Sequence, residues 1–201
     1  MQTTEHALVV VDVQNDFCPG GALAVTEGDQ IVSGINALMR EFHTVVLTQD
    51  WHPKGHSSFA SSHTGKAPME LIEMPYGPQV LWPDHCVQGS HGAAFHSALE
   101  TDRASLIIRK GTNPKIDSYS AFFENDRKTP TGLEGYLRNL KIEKLTFVGL
   151  ATDFCVNYSA LDAASLGFTV SVNLDLCRGI DLNGSMAATL EGFGLKGVAL
   201  E

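Results

Sequence analysis

Cysteine is scarce in this chain, and the four present, at positions 18, 86, 155 and 177, are too widely spaced for a small disulfide-stapled scaffold. None of them forms a CxxC pair, so a zinc ribbon is not indicated either. Basic residues are also in deficit. Fourteen Lys and Arg stand against 23 Asp and Glu, a formal net charge of -9, and the mean surface potential therefore repels phosphate backbones and anionic lipid headgroups. Neither nucleic acid nor a membrane is expected as a partner. No stretch approaches the roughly 18 apolar residues of a membrane span. The opening MQTTEHALVVVDVQ lacks the basic start and long apolar run of a secretory signal, so a reduced, cytoplasmic setting is expected. Internal repeats and low-complexity tracts are missing too. What remains, 43% hydrophobic and 18% charged residues over 201 positions, is ordinary globular composition and suits one domain spanning residues 1–201.

Short apolar runs alternate with helix-period segments, the mark of an α/β fold on a mostly parallel sheet. Six runs predict strands, at Ala7–Val11, Thr44–Thr48, Ser105–Ile108, Lys144–Leu150, Phe168–Val172 and Lys196–Leu200. Ala7–Val11 is a continuous, largely β-branched run, too short for a helix and too apolar for a half-exposed strand, which predicts a buried central position. Between the runs, Ile31, Ile35, Leu38, Met39 and Phe42 form the stripe of an amphipathic helix over 29–42. Thr131 and Glu134 fit a capping box for a helix to about Leu140. Further helices are predicted over 152–166, ending at Gly167, and over 183–192. Residues 51–92 are rich in Pro, Gly, Ser and His with little apolar period, and a stretch that long without clear elements is usually functional. A metal-binding loop region is expected there, with a short hairpin or helix near 67–74.

In open α/β sheets, ligands bind beyond the carboxyl ends of the strands. Asp12, Asp50 and Lys110 fall at three such ends, and Cys155 opens the helix after a fourth. If those strands are neighbours, the four side chains converge. An aspartate closing an apolar strand is desolvated, which raises its pKa toward that of a useful general base; the plain alternative is a turn or cap residue. With Thr152 as N-cap, Cys155 stands at the third helical position, where unpaired backbone donors favour a thiolate, although most single cysteines are small buried hydrophobes. Asp50 and His52 project from one face of an extended segment, His56 follows four residues on, and His85 lies in WPDHC. One carboxylate and three imidazoles suit one borderline divalent ion such as zinc, iron or manganese. Phe17, Trp82 and Tyr119 sit beside these motifs as flat walls for an aromatic ring, or as ordinary core residues.

Taken together, the motifs resemble the nicotinamidase, or pyrazinamidase, branch of the isochorismatase-like cysteine hydrolases. The matching pieces are VVVDVQNDFCPGGALAV from Val9, TQDWHPKGHSSF from Thr48, LWPDHCVQGSHGAAFH from Leu81, RKG from Arg109, SYSAFF from Ser118 and VGLATDFCVNYSALDA from Val148. The resemblance implies a three-layer α/β/α domain on a six-stranded, mostly parallel sheet. It implies a catalytic triad of Asp12, Lys110 and Cys155, a cis peptide between Leu150 and Ala151, and an oxyanion hole from the N–H groups of Ala151 and Cys155. Substrate contacts are expected from Phe17, Trp82, Tyr119 and Leu150, and metal ligation from Asp50, His52, His56 and His85. The implied activity is amidohydrolysis of a linear carboxamide, nicotinamide to nicotinate and ammonia in NAD salvage, with pyrazinamide as a second substrate. The implied partner is that small molecule; homo-oligomerisation and the identity of the ion are left open. Two rival readings use the same residues: metal-activated water attack with a purely structural Cys155, and a metal-stabilised binding module. Carbamoyl and ureido hydrolases share the triad, and the Asp50 and histidine set tips the choice toward the amidases. The loop between His56 and His85 is longer than in the shortest members, which bears on pocket closure and selectivity.

Overall fold

Strand β1 (His6–Val11) is buried at every position after His6, as its unbroken apolar run requires. The computed structural model describes residues 5–201; the four preceding residues of the 1–201 span and of the N-terminal stretch lie outside the described residues. After β1 the chain continues through α1 (Val32–Met39), β2 (Thr44–Asp50), β3 (Leu71–Met74), β4 (Gly77–Val80), β5 (Leu106–Lys110) and α2 (Leu133–Asn139). It ends with β6 (Lys144–Leu150), α3 (Asn157–Ser165), β7 (Thr169–Arg178), α4 (Ser185–Lys196) and β8 (Ala199–Leu200). One six-stranded sheet runs in the order β5-β2-β1-β6-β7-β8, and every pairing in it is parallel. All seven residues of β2 and six of seven in β6 are buried, so layers cover both faces of the sheet.

This order places the switch point of the topology at β1 and β6: from β1 the chain builds outward through β2 and β5 on one side, and β6, β7 and β8 extend the other. Crevices at such a point open at the carboxyl ends of the strands. Register brings those ends level, pairing Val11 with Gly149 and Asp50 with Lys110. Strands β2 and β5 end on Asp50 and Lys110 themselves, as expected of the polar residues that close these two apolar runs.

Other boundaries move for local reasons. The helix expected over 29–42 is confined to Val32–Met39, with reverse turns preceding it. Gly132, left-handed at φ 100°, caps α2 in place of Thr131, whose hydroxyl instead accepts from Leu133 N at 3.2 Å while Glu134 turns to Arg138. Left-handed Asn183 and Gly184 (φ 54° and 82°) delay α4 to Ser185, and the helix then continues to Lys196, leaving only Ala199–Leu200 as the last strand. Strand β7 continues past Val172 to Arg178 through an irregularity between Phe147 and Gly149 of β6. Of the two elements expected near 67–74, the hairpin forms, as the antiparallel pair β3–β4.

Gly149 shows why the crevice end of β6 tolerates no side chain. At φ 116° a Cβ there would stand 2.2 Å from Val11 O and 2.8 Å from Val11 N. Gly149→Ala is therefore expected to lower unfolding free energy by about 1–3 kcal/mol, the usual cost of overpacking, measured as a lower urea midpoint at unchanged slope.

Candidate active site

Asp12 follows β1 in a left-handed conformation (φ 49°) and is completely buried. Thr48 at the end of β2 holds it from two sides, accepting from Asp12 N at 3.1 Å and donating to Asp12 Oδ1 at 2.6 Å. The other carboxylate oxygen lies 2.8 Å from Lys110 Nζ, as an ion pair without an aligned hydrogen bond. Lys110 Nζ also donates to Asp50 Oδ1 at 2.9 Å, to Ser118 O at 3.0 Å and to Cys155 Sγ at 3.4 Å. The structure thus brings together the acid, the amine and the thiol that stand at positions 12, 110 and 155 of the chain. Burial raises the Asp12 carboxyl above its ordinary range despite the pull of Lys110. Burial disfavours the Lys110 ammonium, but the carboxylates of Asp12 and Asp50 outweigh it and hold the amine protonated well above its usual range.

Cys155 does not stand at an N-capped third helical position. Residues Thr152–Val156 form one wide turn closed by Val156 N donating to Ala151 O at 3.1 Å, and α3 starts only afterwards, with no side-chain cap. Burial pushes the Cys155 thiol well up, with Lys110 opposing and Asp12 and Asp50 adding to the rise. That direction runs against the thiolate that a helix start would favour. Leu150–Ala151 is a cis peptide.

Asp50, His52 and His85 form a second buried group whose ligand atoms lie within 4.8 Å of one another. Asp50 Oδ2 is 3.1 Å from His52 Nε2 and 3.4 Å from His85 Nε2. Burial alone would raise the Asp50 carboxyl, but His52 and Lys110 hold it well below the usual range. The tautomers follow from the neighbours, since a carbonyl only accepts: His52 Nδ1–H donates to Gly111 O at 3.0 Å and His85 Nδ1–H to Pro83 O at 2.8 Å. Both Nε2 atoms are thereby turned toward Asp50, the outer-sphere arrangement common to metal-ligating histidines. Gly111 (φ 65°) makes room for this, because a Cβ there would lie 2.5 Å from His52 Cε1. His56 stands apart from this trio. It shares an adjoining group with His52 and Asp117, and both its nitrogens are engaged: Nε2–H donates to Asn113 O at 2.7 Å and Nδ1 accepts from Ser58 N at 3.1 Å.

A cavity of about 330 Å³, part of it open to solvent, is lined by Cys155 and Ala151 from the nucleophile turn and by Asp50 and His85. Phe17, Trp82 and Tyr119 wall it as expected. Phe154, to which the sequence assigned no role, completes the wall edge-on to Trp82 at 4.9 Å and to Tyr119 at 5.7 Å. Leu150 is not among the lining side chains; as the last residue of β6 it is fully buried and faces the turn at Gly28.

Three supporting residues escaped the sequence reading. Gln14 clamps the end of β2, accepting from Asp50 N and donating to Asp50 O, both at 2.8 Å. Asp16 accepts from Cys86 N at 2.7 Å and so ties the Phe17 loop to the His85 loop. Asp117, buried in the cavity wall, lies 3.9 Å from His52 Nε2. The first two lie inside the β1 motif, where polar residues two and four places past Asp12 were the available signal; Asp117 had none.

A family model described as the isochorismatase domain matches residues 6–197. The chain belongs to this family. It is 56% identical over 185 residues to a nicotinamidase of Acinetobacter baylyi, covering 92% of this chain and 86% of that protein. Among solved structures, the Acinetobacter baumanii nicotinamidase and pyrazinamidase superposes with a TM-score of 0.98 at 55% identity, covering 100% of this chain and 97% of that one. A Pyrococcus horikoshii pyrazinamidase, solved in complex with zinc, matches with a TM-score of 0.79 at 35% identity and 98% coverage of both chains.

The electrostatics yield a stability test. Removing the Lys110 ammonium leaves two buried carboxylates without their shared cation, and breaking a buried pair from one side typically costs about 3–5 kcal/mol. Lys110→Met is expected to lose that much unfolding free energy in urea titration at neutral pH.

Proposed function

We infer that this protein hydrolyses nicotinamide to nicotinate and ammonia, the amidase step of NAD salvage, and accepts pyrazinamide as a second carboxamide. The observation that carries the reading is the meeting of Asp12, Lys110 and Cys155 on a cavity that also receives Asp50 and His85. The close curated relative is itself a nicotinamidase. Residues 1–201 act as one domain on this reading, with 51–92 as its metal-binding loop region and the cytoplasm as its compartment.

The donor set fits one divalent ion, whether zinc, iron or manganese. Two imidazoles, each oriented by a carbonyl on Nδ1, turn Nε2 toward one buried carboxylate. Asp50, His52 and His85 would hold it, with His56 as a buttress behind His52 rather than the fourth ligand its spacing suggested. When bound, the ion supplies a Lewis-acid anchor for a ring nitrogen.

Phe17, Trp82, Tyr119 and Phe154 sandwich the planar ring and orient its carboxamide toward Cys155. Asp12 takes the thiol proton as sulfur attacks the carbonyl carbon, and Lys110 stabilises the developing thiolate. The N–H groups of Ala151 and Cys155 receive the oxyanion. Collapse breaks the C–N bond, and protonated Asp12 hands its proton to the departing amine as ammonia. Asp12 then activates water against the thioester, releasing nicotinate and returning the proton to sulfur.

Purified protein should release ammonia from nicotinamide, and Cys155→Ala should lose on the order of 10⁴-fold or more in kcat, as expected for a nucleophile that acts as a unit with its base. Chelation should suppress activity and readdition of a divalent ion restore it. A Cys155→Ala enzyme that keeps most of its activity would return the reading to metal-activated water. The pH profile gives a second test. Because burial raises the Asp12 carboxyl, the base form is lost earlier on acidification than for a solvated aspartate. The kcat/KM profile should fall through an acid limb above the ordinary carboxyl range, while Lys110 stays protonated throughout.

A further inference from the structure

We propose that Gln79, on the β3–β4 hairpin, is a positioning residue for the substrate slot: it orients Tyr119 and Asp117 and so governs nicotinamide affinity rather than bond breaking. The proposal rests on the amidase reading above and extends it to a residue that touches none of the reacting groups.

The hairpin is an unusual place for a buried amide. Its strands are four residues long, and Leu71, Glu73 and Pro78 are exposed, yet Gln79 is 0% accessible. An anchor whose task is only to pin a hairpin is served by an apolar side chain, since burying a primary amide is unfavourable unless its donors and acceptor are paired. Here the pairing is complete. Gln79 Nε2 lies 2.8 Å from Val80 O, 2.8 Å from Asp117 Oδ2 and 2.9 Å from Tyr119 Oη, while Oε1 accepts from Tyr76 Oη at 3.2 Å and from Asn125 Nδ2 at 3.1 Å. None of these partners is Asp12, Lys110 or Cys155. Two of them, Asp117 and Tyr119, line the cavity.

Tyr119 is the point of control. Its phenol oxygen accepts from Gln79 and, at 3.1 Å, from the indole N–H of Trp82, three residues further along the same strand exit. Two donors from one segment fix the tilt of the tyrosine, which stands at 80° to Trp82 and 75° to Phe154. Asn125 holds the same segment from the other side by accepting from Tyr119 N at 3.0 Å. Removing the Gln79 amide frees Tyr119 to pivot about Trp82 and strips Asp117 Oδ2 of its buried donor, so the slot loosens while the triad keeps its contacts. A fully satisfied polar cluster specifies orientation in a way that apolar packing does not.

The experiment compares wild type with Gln79→Leu, which removes both polar ends at similar volume, and with Gln79→Asn, which keeps an amide of shorter reach and serves if the leucine variant fails to fold. The expected result is a KM for nicotinamide raised about ten-fold, the size of one lost buried interaction, with kcat within about two-fold and metal content per chain unchanged. Calorimetric titration with nicotinate reads the slot without turnover and should show the same weakening. An unchanged KM and nicotinate affinity, a fall in kcat at constant KM, or a loss of bound metal would each overturn the proposal. Wild-type protein that releases no ammonia from nicotinamide would instead overturn the amidase reading, and nicotinate binding would still decide the role of Gln79.

Discussion

A single buried ammonium holds this site together. Lys110 stands between the carboxylates of Asp12 and Asp50, 2.8 and 2.9 Å away, with the three side chains almost wholly removed from water. Two carboxylates in one desolvated crevice cannot both ionise without a cation to share. The lysine lets Asp50 remain an anion beside His52 and His85, while burial pushes the Asp12 carboxyl upward. The Asp12, Lys110 and Cys155 group and the Asp50, His52 and His85 trio are therefore halves of one electrostatic unit. The same ammonium reaches the Cys155 sulfur at 3.4 Å, so Cys155, Asp12 and Asp50 all contact one charge.

Parallel register makes the unit reachable. Asp50 and Lys110 are direct partners on neighbouring strands, and Asp12 and Cys155 leave the two strands that flank the switch point. Around these ends, side-chain amides take over where the ladder stops: Gln14 bonds both the N–H and the carbonyl of Asp50. Loops then add what strands cannot, the aromatic walls and the histidines, each turned by a backbone carbonyl. At Gly111 and Gly149 the backbone approaches its neighbours so closely that a methyl group has no room.

Much of this was legible in the chain itself. The apolar runs predicted all six sheet strands, and the polar residues at their ends proved to share one crevice. The resemblance to the isochorismatase-like hydrolases was borne out by the family match over residues 6–197. What was misplaced was local. Thr131 and Thr152 looked like helix caps because cap signals are short, but a left-handed Gly132 moved one start, and a wide turn at Cys155 displaced the other. The helix start that would favour a thiolate is missing, and burial together with the carboxylates of Asp12 and Asp50 pushes the Cys155 thiol upward against the pull of Lys110.

Sequence by itself determined the alternation of strand and helix, the residue types at each strand end and the carboxylate and imidazoles that follow β2, because these depend on side-chain period and on residue chemistry. Only the tertiary structure decided which of those residues share a hydrogen-bonding partner. It separated His56 from the Asp50, His52 and His85 trio, brought Asp117 and Phe154 into the cavity and drew Leu150 out of it. Lone-pair directions and ring orientations are set by carbonyls and amides far away in the chain, at Gly111, Pro83 and Gln79. No local spacing encodes those contacts; they exist only once the sheet has closed.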